Sequence, residues 1–462
     1  MHTSFIGRRE ELELLRTAYQ NGVSAFIPIY GRRRIGKSEL ILKFFEKKRG
    51  IYFVGKRAQA ALQIREFLET AASVLHEPLL ASMPAQDWAT AFQAVVTRWR
   101  GSEKMILALD EFQWMAEASP ELPSVLQSLW DRQWKKSGKM MLILCGSYIG
   151  FMEREVLGKK SPLFGRRTAQ ILLQPFNFRE AAAFHPRWSH AEHAKVYFLC
   201  GGVPLYLRYF HPQQSVESGI SANLLNEYAP LYREPDFLLR EELREVENYY
   251  AILFALASGD TIYSSIARKA GIGERGLNYY LQQLLDLGYV AKRYPLTHSK
   301  PSVRHVRYTL RDPLLKFWFR FAYPHVSFIA QMGAERAFKE LIRPHLDSYF
   351  GSCFEQLARE FLAVFYQREK ITSSFQIGEY WDKNTQIDVV GLRKDDWLDL
   401  GECKWGHISS TRAMEQELAA KAAHYPDIQK YTSQYHLFTR QTLAKKSVPQ
   451  TLRCHSLEDF YA

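Results

Sequence analysis

Gly31-Arg32-Arg33-Arg34-Ile35-Gly36-Lys37-Ser38 fills every position of the pattern GxxxxGK[ST]. The pattern carries a phosphate-binding mechanism. Its glycines let backbone N–H groups wrap phosphate oxygens, and a helix that opens at its end adds a positive dipole terminus. Lys37 supplies a point charge for the β- and γ-phosphates of ATP, and the Ser38 hydroxyl is placed to ligate Mg²⁺. Further along, Met105-Ile106-Leu107-Ala108-Leu109-Asp110-Glu111 is an apolar run closed by two carboxylates. Asp110 is expected to hold the metal through its water shell, and Glu111 to polarise the attacking water. Another apolar run, MLILCG, ends at Ser147, a polar residue suited to sense a γ-phosphate.

A different chemistry is written near the C terminus. Gln386–Leu392 and Trp397–Trp405 read as two strands around the polar turn Arg393–Asp396. A hairpin centred near Asp395 sets Asp388 opposite Glu402, with Cβ atoms about 4.5–5.5 Å apart. Lys404, two residues beyond Glu402, points to the same face. Two carboxylates and a lysine on one face suit metal-dependent phosphodiester hydrolysis. The carboxylates would hold Mg²⁺ or Mn²⁺, and Lys404 would orient the water or stabilise charge growing in the transition state. Glu355, in the helical run SYFGSCFEQLAREFLAVF, is the candidate to complete that metal shell.

These residues need elements to position them. Over residues 1–175 the apolar runs SAFIPIY, GIYFV, KMILALD, KMMLILCG and AQILLQPF alternate with helical stretches, the pattern of a buried parallel sheet. Residues 176–247 read as helical. Residues 248–330 contain three short helices, NYYAILFALAS, IYSSIARKAG and ERGLNYYLQQLLDLG, and two β-like runs, GYVAKRYPL and RHVRYTLRD. That order is a winged helix-turn-helix. Residues 331–462 begin with helices and continue with alternating strands. The fold class is therefore α/β and multidomain.

Charge points to an anionic partner. The 462 residues carry 61 Lys and Arg against 49 Asp and Glu, a net +12, which favours nucleic acid. Residues 251–330 alone hold 11 Lys and Arg against four Asp and Glu, a net +7. Lys292, Arg293, Lys300, Arg304 and Arg307 of the hairpin suit phosphate contacts that position rather than specify. Asn278 and Gln282, one turn apart on the third helix, are the candidates to face a groove. DNA is the expected partner, with RNA as the alternative. With 47% hydrophobic and 24% charged residues the composition is that of a globular chain, and no run of 18 apolar residues offers a membrane span. The start, MHTSFIGRREELELL, reaches a charged helical pattern at once, and the five scattered cysteines form no CxxC, so a reducing, cytoplasmic location is expected. The histidines show no zinc-ligand spacing, and the aromatic run KFWFRF reads as packing.

The strings FIGRREELELL, GRRRIGKS, LALDEFQW, LILCGS, SPLFGRRT and GGVPLYL, in this order from residue 4 to about 210, resemble the archaeal-type ATPase family, which lies among the AAA-like and signal-transduction P-loop ATPases. The resemblance implies that Gly7 and Arg8 sit near the adenine. It implies that Arg166 or Arg167 reaches a γ-phosphate, which in trans would require a homo-oligomer. It also implies that Gly202 and Pro204 belong to a helical lid over the nucleotide. In signal-transduction ATPases a winged helix is part of the switch, and in origin-recognition ATPases it grips DNA. The strings IDVVGL and GECKWG resemble the PD-(D/E)xK restriction-endonuclease-like domain often attached to archaeal-type ATPases. That likeness places Glu355, Asp388, Glu402 and Lys404 at catalytic positions, with one departure: Gln386 stands where relatives often have a second acid. The expected arrangement is an ATPase core over 1–175, a helical lid over 176–247, a winged helix over 248–330 and a nuclease-like domain over 331–462. The expected function is an ATP-regulated, DNA-binding nuclease. The alternative is an ATPase switch or DNA-binding ATPase whose nuclease-like domain serves recognition only.

Overall fold

The computed structural model describes residues 5–298, 305–444 and 448–462. The chain divides between Pro175 and Phe176 into two compact units. In the first, β1 (Ala25–Tyr30), β2 (Gly50–Val54), β3 (Met105–Asp110), β4 (Met140–Gly146) and β5 (Ile171–Leu172) correspond to the five apolar runs and form one sheet in the order β2-β3-β4-β1-β5. Every neighbouring pair is parallel. Alternate strand residues feed two separate cores: Leu107, Leu109, Leu142 and Leu144 enter one, Ile106, Ala108, Met141 and Ile143 the other. Both faces are covered, which is why these strands read as continuous apolar runs rather than alternating ones. Helices α1 (Arg9–Gln20) and α2 (Lys37–Phe45) pack into one core, and α3 (Ala60–Leu75) and α4 (Trp88–Thr97) into the other.

Pro28 lies inside β1, a central strand, where a missing N–H would normally cost a ladder bond. The N–H of Phe26 bonds the Thr168 hydroxyl, while pairing with β5 begins only at Ile29. Pro28 therefore sits in the gap before β5, where no strand partner is lost. The parallel order brings the carboxyl ends of β1, β3 and β4 to one edge. Gly31, Glu111 and Ser147 follow those ends, and such an edge is where ligands bind in open α/β sheets.

The second unit contains α6 (His190–Cys200), α7 (Val246–Ala257), α8 (Tyr263–Ala270) and α9 (Glu274–Asp286), then the antiparallel pair β6 (Val290–Arg293) and β7 (Arg307–Leu310). Leu277, Leu281 and Leu284 bury one stripe of α9, and Asn278, Tyr279 and Gln282 are exposed on the other. Lys300 and Arg304 lie outside the described residues. After α10 (Leu346–Arg368) come β8 (Phe375–Trp381), β9 (Gln386–Arg393), β10 (Trp397–Lys404), α11 (Thr411–Ala422), β11 (Thr432–Thr439) and β12 (Leu452–Ser456). The sheet order is β12-β11-β10-β9-β8, antiparallel from β8 to β10 and parallel from β10 to β12. Residues 176–247, 248–330 and 331–462 share one continuous core that runs from Phe178 through Tyr250 and Leu277 to Phe460.

Within this unit lies a buried polar chain. The Tyr366 hydroxyl donates to Asp399, whose Oδ1 accepts from His436 Nε2 at 2.8 Å, and His436 Nδ1 meets His455 Nε2 at 2.9 Å. Gly391, opposite Asp399 in the ladder, makes the room, since a Cβ there would overlap the Tyr366 hydroxyl. Burial, then the neighbouring His436 and Arg453, push His455 down to about 3. The unfolded chain takes up this proton near pH 6.5 and the folded one does not, so the His455 contribution is lost as pH falls below 6.5, by about 1.4 kcal/mol per pH unit. The stability gap between wild type and His455→Gln, from urea midpoints, is expected to narrow accordingly from pH 6.5 to 5. A gap independent of pH would show that His455 does not titrate in this way.

Candidate functional site

The loop after β1 has the backbone that its glycines predict. Gly31 and Gly36 have φ of +149° and +88°, and Arg34 reaches +66°. A Cβ on Gly31 would overlap the Leu173 carbonyl oxygen and lie 2.7 Å from Ile35 Cδ1, so only glycine fits. Lys37, buried at the start of α2, donates from Nζ to the carbonyls of Gly31 (3.0 Å) and Arg32 (2.8 Å). Burial lowers its ammonium below the usual range, opposed by Cys145, Glu111 and Asp110 nearby.

Asp110, at the end of β3, is the hub of the polar contacts. Its Oδ2 accepts from Ser38 Oγ at 2.6 Å and from the Tyr52 hydroxyl at 2.6 Å, and its Oδ1 accepts the Glu111 N–H at 2.8 Å. Tyr52, raised by burial and by Asp110, keeps its proton and acts as a donor. Ser38 and Asp110 thus offer two hard oxygens side by side, a donor pair that fits Mg²⁺. Glu111 has φ +50° and caps α5 (Phe112–Ala118). Its carboxylate accepts from Ser147 Oγ, 2.8 Å to Oε2 and 3.1 Å to Oε1, and from Gln113 Nε2. Gly7 and Arg8 both have positive φ, +67° and +57°. The buried Arg8 guanidinium holds the loop from behind, donating to Ile35 O at 3.1 Å and Gln174 O at 2.7 Å.

In the second unit the β9–β10 register runs from Leu392↔Leu398 to Val389↔Gly401. One further step sets Asp388 opposite Glu402, the register anticipated above. Asp388 accepts the Cys403 N–H at 3.0 Å. Burial, then the Glu402 charge, raise Asp388 to about 6. Glu355, on α10, is raised to about 7 by burial and then by Asp388. Glu402 is buried between two lysines: Lys404 donates to Oε1 at 3.0 Å and Lys421 to Oε2 at 2.8 Å. Burial lowers both ammonium groups, and Glu402 more than compensates, leaving both raised. Glu355, Asp388, Glu402 and Lys404 therefore share one electrostatic cluster. They do not form the expected metal shell: among the described residues no group of three or more His, Cys, Asp or Glu is placed to hold a metal ion. With both Glu402 oxygens given to lysines, the donor set does not fit a cation as arranged.

Residues 5–210 match the family described as an ATPase domain predominantly from Archaea, and residues 318–416 match one described as archaeal and bacterial proteins of unknown function. An uncharacterized protein of Methanocaldococcus jannaschii, MJECL04, is 30% identical over 404 residues, 87% of each chain. The chain belongs to the archaeal-type ATPase family. Among solved structures it is similar to the Walker-type ATPase paby2304 of Pyrococcus abyssi, at 18% identity and TM-score 0.48 over 68% of this chain and 96% of that one. It is also similar to the Aeropyrum pernix ORC2 protein in its ADPNP-ADP complexes, at 16% identity and TM-score 0.45 over 72% and 97%.

In this archaeal-type ATPase the two arginines after Gly165 differ. Arg166 is committed within its own unit: it grips Asp131, with the shortest contact at 2.7 Å, and bonds the carbonyls of Pro162 and Phe164. Arg167 is exposed. The hairpin arginines need a correction. Arg293 pairs with Glu379 at 2.9 Å and bonds Gln356 at 3.0 Å, while Arg307 bonds Gln386 at 3.3 Å and stacks 4.4 Å over Trp381. Both guanidiniums serve packing against the C-terminal sheet, and only Lys292 of the described basic set is exposed. Sequence reasoning missed Tyr52, Gln113, Glu379 and Lys421. Gln113 stands inside the string LALDEFQW. The other three come from separate elements, with no local spacing to reveal them.

Proposed function

We propose that this ATPase binds ATP with Mg²⁺ in its N-terminal unit, hydrolyses it with Glu111, and engages DNA through its second unit. The observation that carries the reading is the convergence of Lys37, Ser38, Asp110, Glu111 and Ser147 at one sheet edge. Backbone N–H groups of residues 31–36 and Lys37 would hold the phosphates, and Ser38 and Asp110 the metal, which neutralises phosphate charge when bound. Glu111, oriented by Ser147, would take the proton of the attacking water. Arg167 is the arginine available to a nucleotide of another copy, and Gly7 and Arg8 would line the adenine side.

DNA recognition rests on the basic surplus and on the exposed face of α9, with Arg275, Asn278, Tyr279 and Gln282. With helices α7 to α9 and the β6–β7 pair read as a winged helix, the hairpin serves docking and the helix remains for the groove. Anisotropy titrations of labelled duplex are expected to show salt-sensitive binding, weakened by Arg275→Ala together with Lys269→Ala, Lys269 being exposed in the last turn of α8. Binding that ignores salt and both substitutions would remove DNA as the partner.

A second reading, in which the C-terminal cluster is a nuclease site, is favoured by the alignment of Asp388, Glu402 and Lys404 on one face. It requires Lys421 to release Glu402. Cleavage of labelled DNA by wild type with Mg²⁺ or Mn²⁺, lost in Asp388→Ala and Lys404→Ala, would establish it. Inactivity of wild type with and without ATP would leave the cluster a recognition element.

A further inference from the structure

We propose that Gln113 is the positioning residue for Glu111, fixing which carboxylate oxygen faces the water that attacks ATP. The proposal rests on the hydrolysis reading above. Residues two apart on a helix do not normally face each other. Here the left-handed backbone of Glu111, φ +50°, bends the entry to α5 and returns the Gln113 amide to its neighbour. Gln113 Nε2 donates to Glu111 Oε2 and also to Ser147 Oγ at 3.3 Å. The Ser147 hydroxyl in turn donates to Glu111 Oε2 at 2.8 Å. The three side chains close a ring in which both amide hydrogens and the hydroxyl hydrogen are used.

The ring is asymmetric toward the carboxylate. Two donors converge on Oε2, and Oε1 keeps only the longer 3.1 Å contact from Ser147. Oε1 is therefore the oxygen with capacity to accept a proton from water. Gln113 and Ser147 are both buried, so the ring is not exchanging its partners with bulk solvent. The fit behind it is tight. A Cβ on Gly146 would lie 3.0 Å from Gln113 Oε1 and 2.6 Å from Met152 Sδ, so glycine at the end of β4 gives the amide its place. Gln113 Oε1 is itself buried and without a hydrogen-bond partner among the described residues. An unpaired buried acceptor is costly, and here the cost is accepted to aim both amide hydrogens at Glu111 and Ser147.

The test is steady-state turnover and labelled-ATP binding on the full chain. Gln113→Leu removes both donors at similar volume. It should lower kcat by about 10- to 100-fold, because a misplaced base loses its near-attack geometry, while the Kd for ATP stays within about twofold. Ser147→Ala should also lower kcat, and the double variant should fall less than the product of the two losses, since both act on one carboxylate. Gln113→Glu, isosteric but repelling Glu111, provides the second variant if Gln113→Leu does not fold, and should show the same split. Wild-type turnover in Gln113→Leu or Gln113→Glu would overturn the proposal, as would a kcat loss matched by an equal loss of ATP affinity. Turnover in wild type and variants alike removes only the positioning role. No turnover in wild type removes the hydrolysis reading and the proposal with it.

Discussion

Glu111→Gln is expected to bind ATP as wild type does and to lose turnover by about 10²- to 10⁴-fold, the usual contribution of a placed general base. The amide keeps an oxygen to accept the Ser147 hydroxyl, so the 2.8 Å contact and the packing beside it survive. Lys37 and Ser38, proposed above to hold the phosphates and the metal, hydrogen-bond Gly31, Arg32 and Asp110 rather than Glu111, and Asp110 still faces the Lys37 ammonium when the Glu111 charge is removed. What disappears is the charge that would take the proton of water. Lys37→Ala should behave in the opposite way, losing binding first, because the buried ammonium is the loop's only lysine and sits among its carbonyls. Filter binding of labelled ATP and phosphate release separate the two outcomes. Turnover of Glu111→Gln within about threefold of wild type would place the base elsewhere.

The N-terminal unit was largely legible because its chemistry is local. A loop whose glycines need positive φ, followed at once by a helix, is written in eight consecutive residues, and each strand that ends at the site is an unbroken apolar run. What escaped were partners contributed by other elements. Tyr52 reaches Asp110 from β2 only because β2 lies beside β3 in the sheet, an order that no spacing records. The C-terminal hairpin could be read to its register, since strand pairing through a short turn is geometrically determined. Its neighbours could not. Glu379 lies at a register shift in β8, and such a bulge redirects a side chain in a way that alternation hides. Lys421 comes from a helix packed over the strands, and its 2.8 Å contact occupies the Glu402 oxygen that Lys404 leaves. The hairpin arginines were misread for a similar reason. Charge in a sequence does not show whether water or a carboxylate will receive it, and Glu379 and Gln386 receive Arg293 and Arg307. The expected subdivision after residue 176 followed pattern changes in the sequence, whereas Phe198 and Phe350 both pack edge to face on Trp405, and tilted against each other, in a single core.

A stability effect of the opposite pH sense to that of His455 is expected at Glu355. Burial and the Asp388 charge raise it to about 7, against an unfolded value near 4.3. A carboxyl with a raised folded pKa binds its proton more tightly in the native state. Its stabilising contribution is therefore complete below about pH 4 and is lost as pH rises through 7. At pH 8 the ionised group is held at a cost, so Glu355→Gln should be more stable than wild type by about 3–4 kcal/mol, and equal to it at pH 4. The same logic, with a smaller shift, applies to Asp388, raised to about 6. Thermal midpoints at pH 4 and pH 8 measure the difference, which should be about 5 °C at pH 8. No gain at pH 8 would mean that Arg359 and Lys316, which oppose the shift, hold the carboxylate more firmly than burial and Asp388 disfavour it. The sign of the result bears on function as well as on folding. Stabilising changes are readily available in natural proteins, so the gain assigns a role to the cluster only when read beside a cleavage assay. If Glu355→Gln proves stabler and Asp388→Ala abolishes DNA cleavage, the cluster is a working site maintained against its own repulsion. If Glu355→Gln proves stabler and no cleavage is found, the nuclease reading of the cluster is removed.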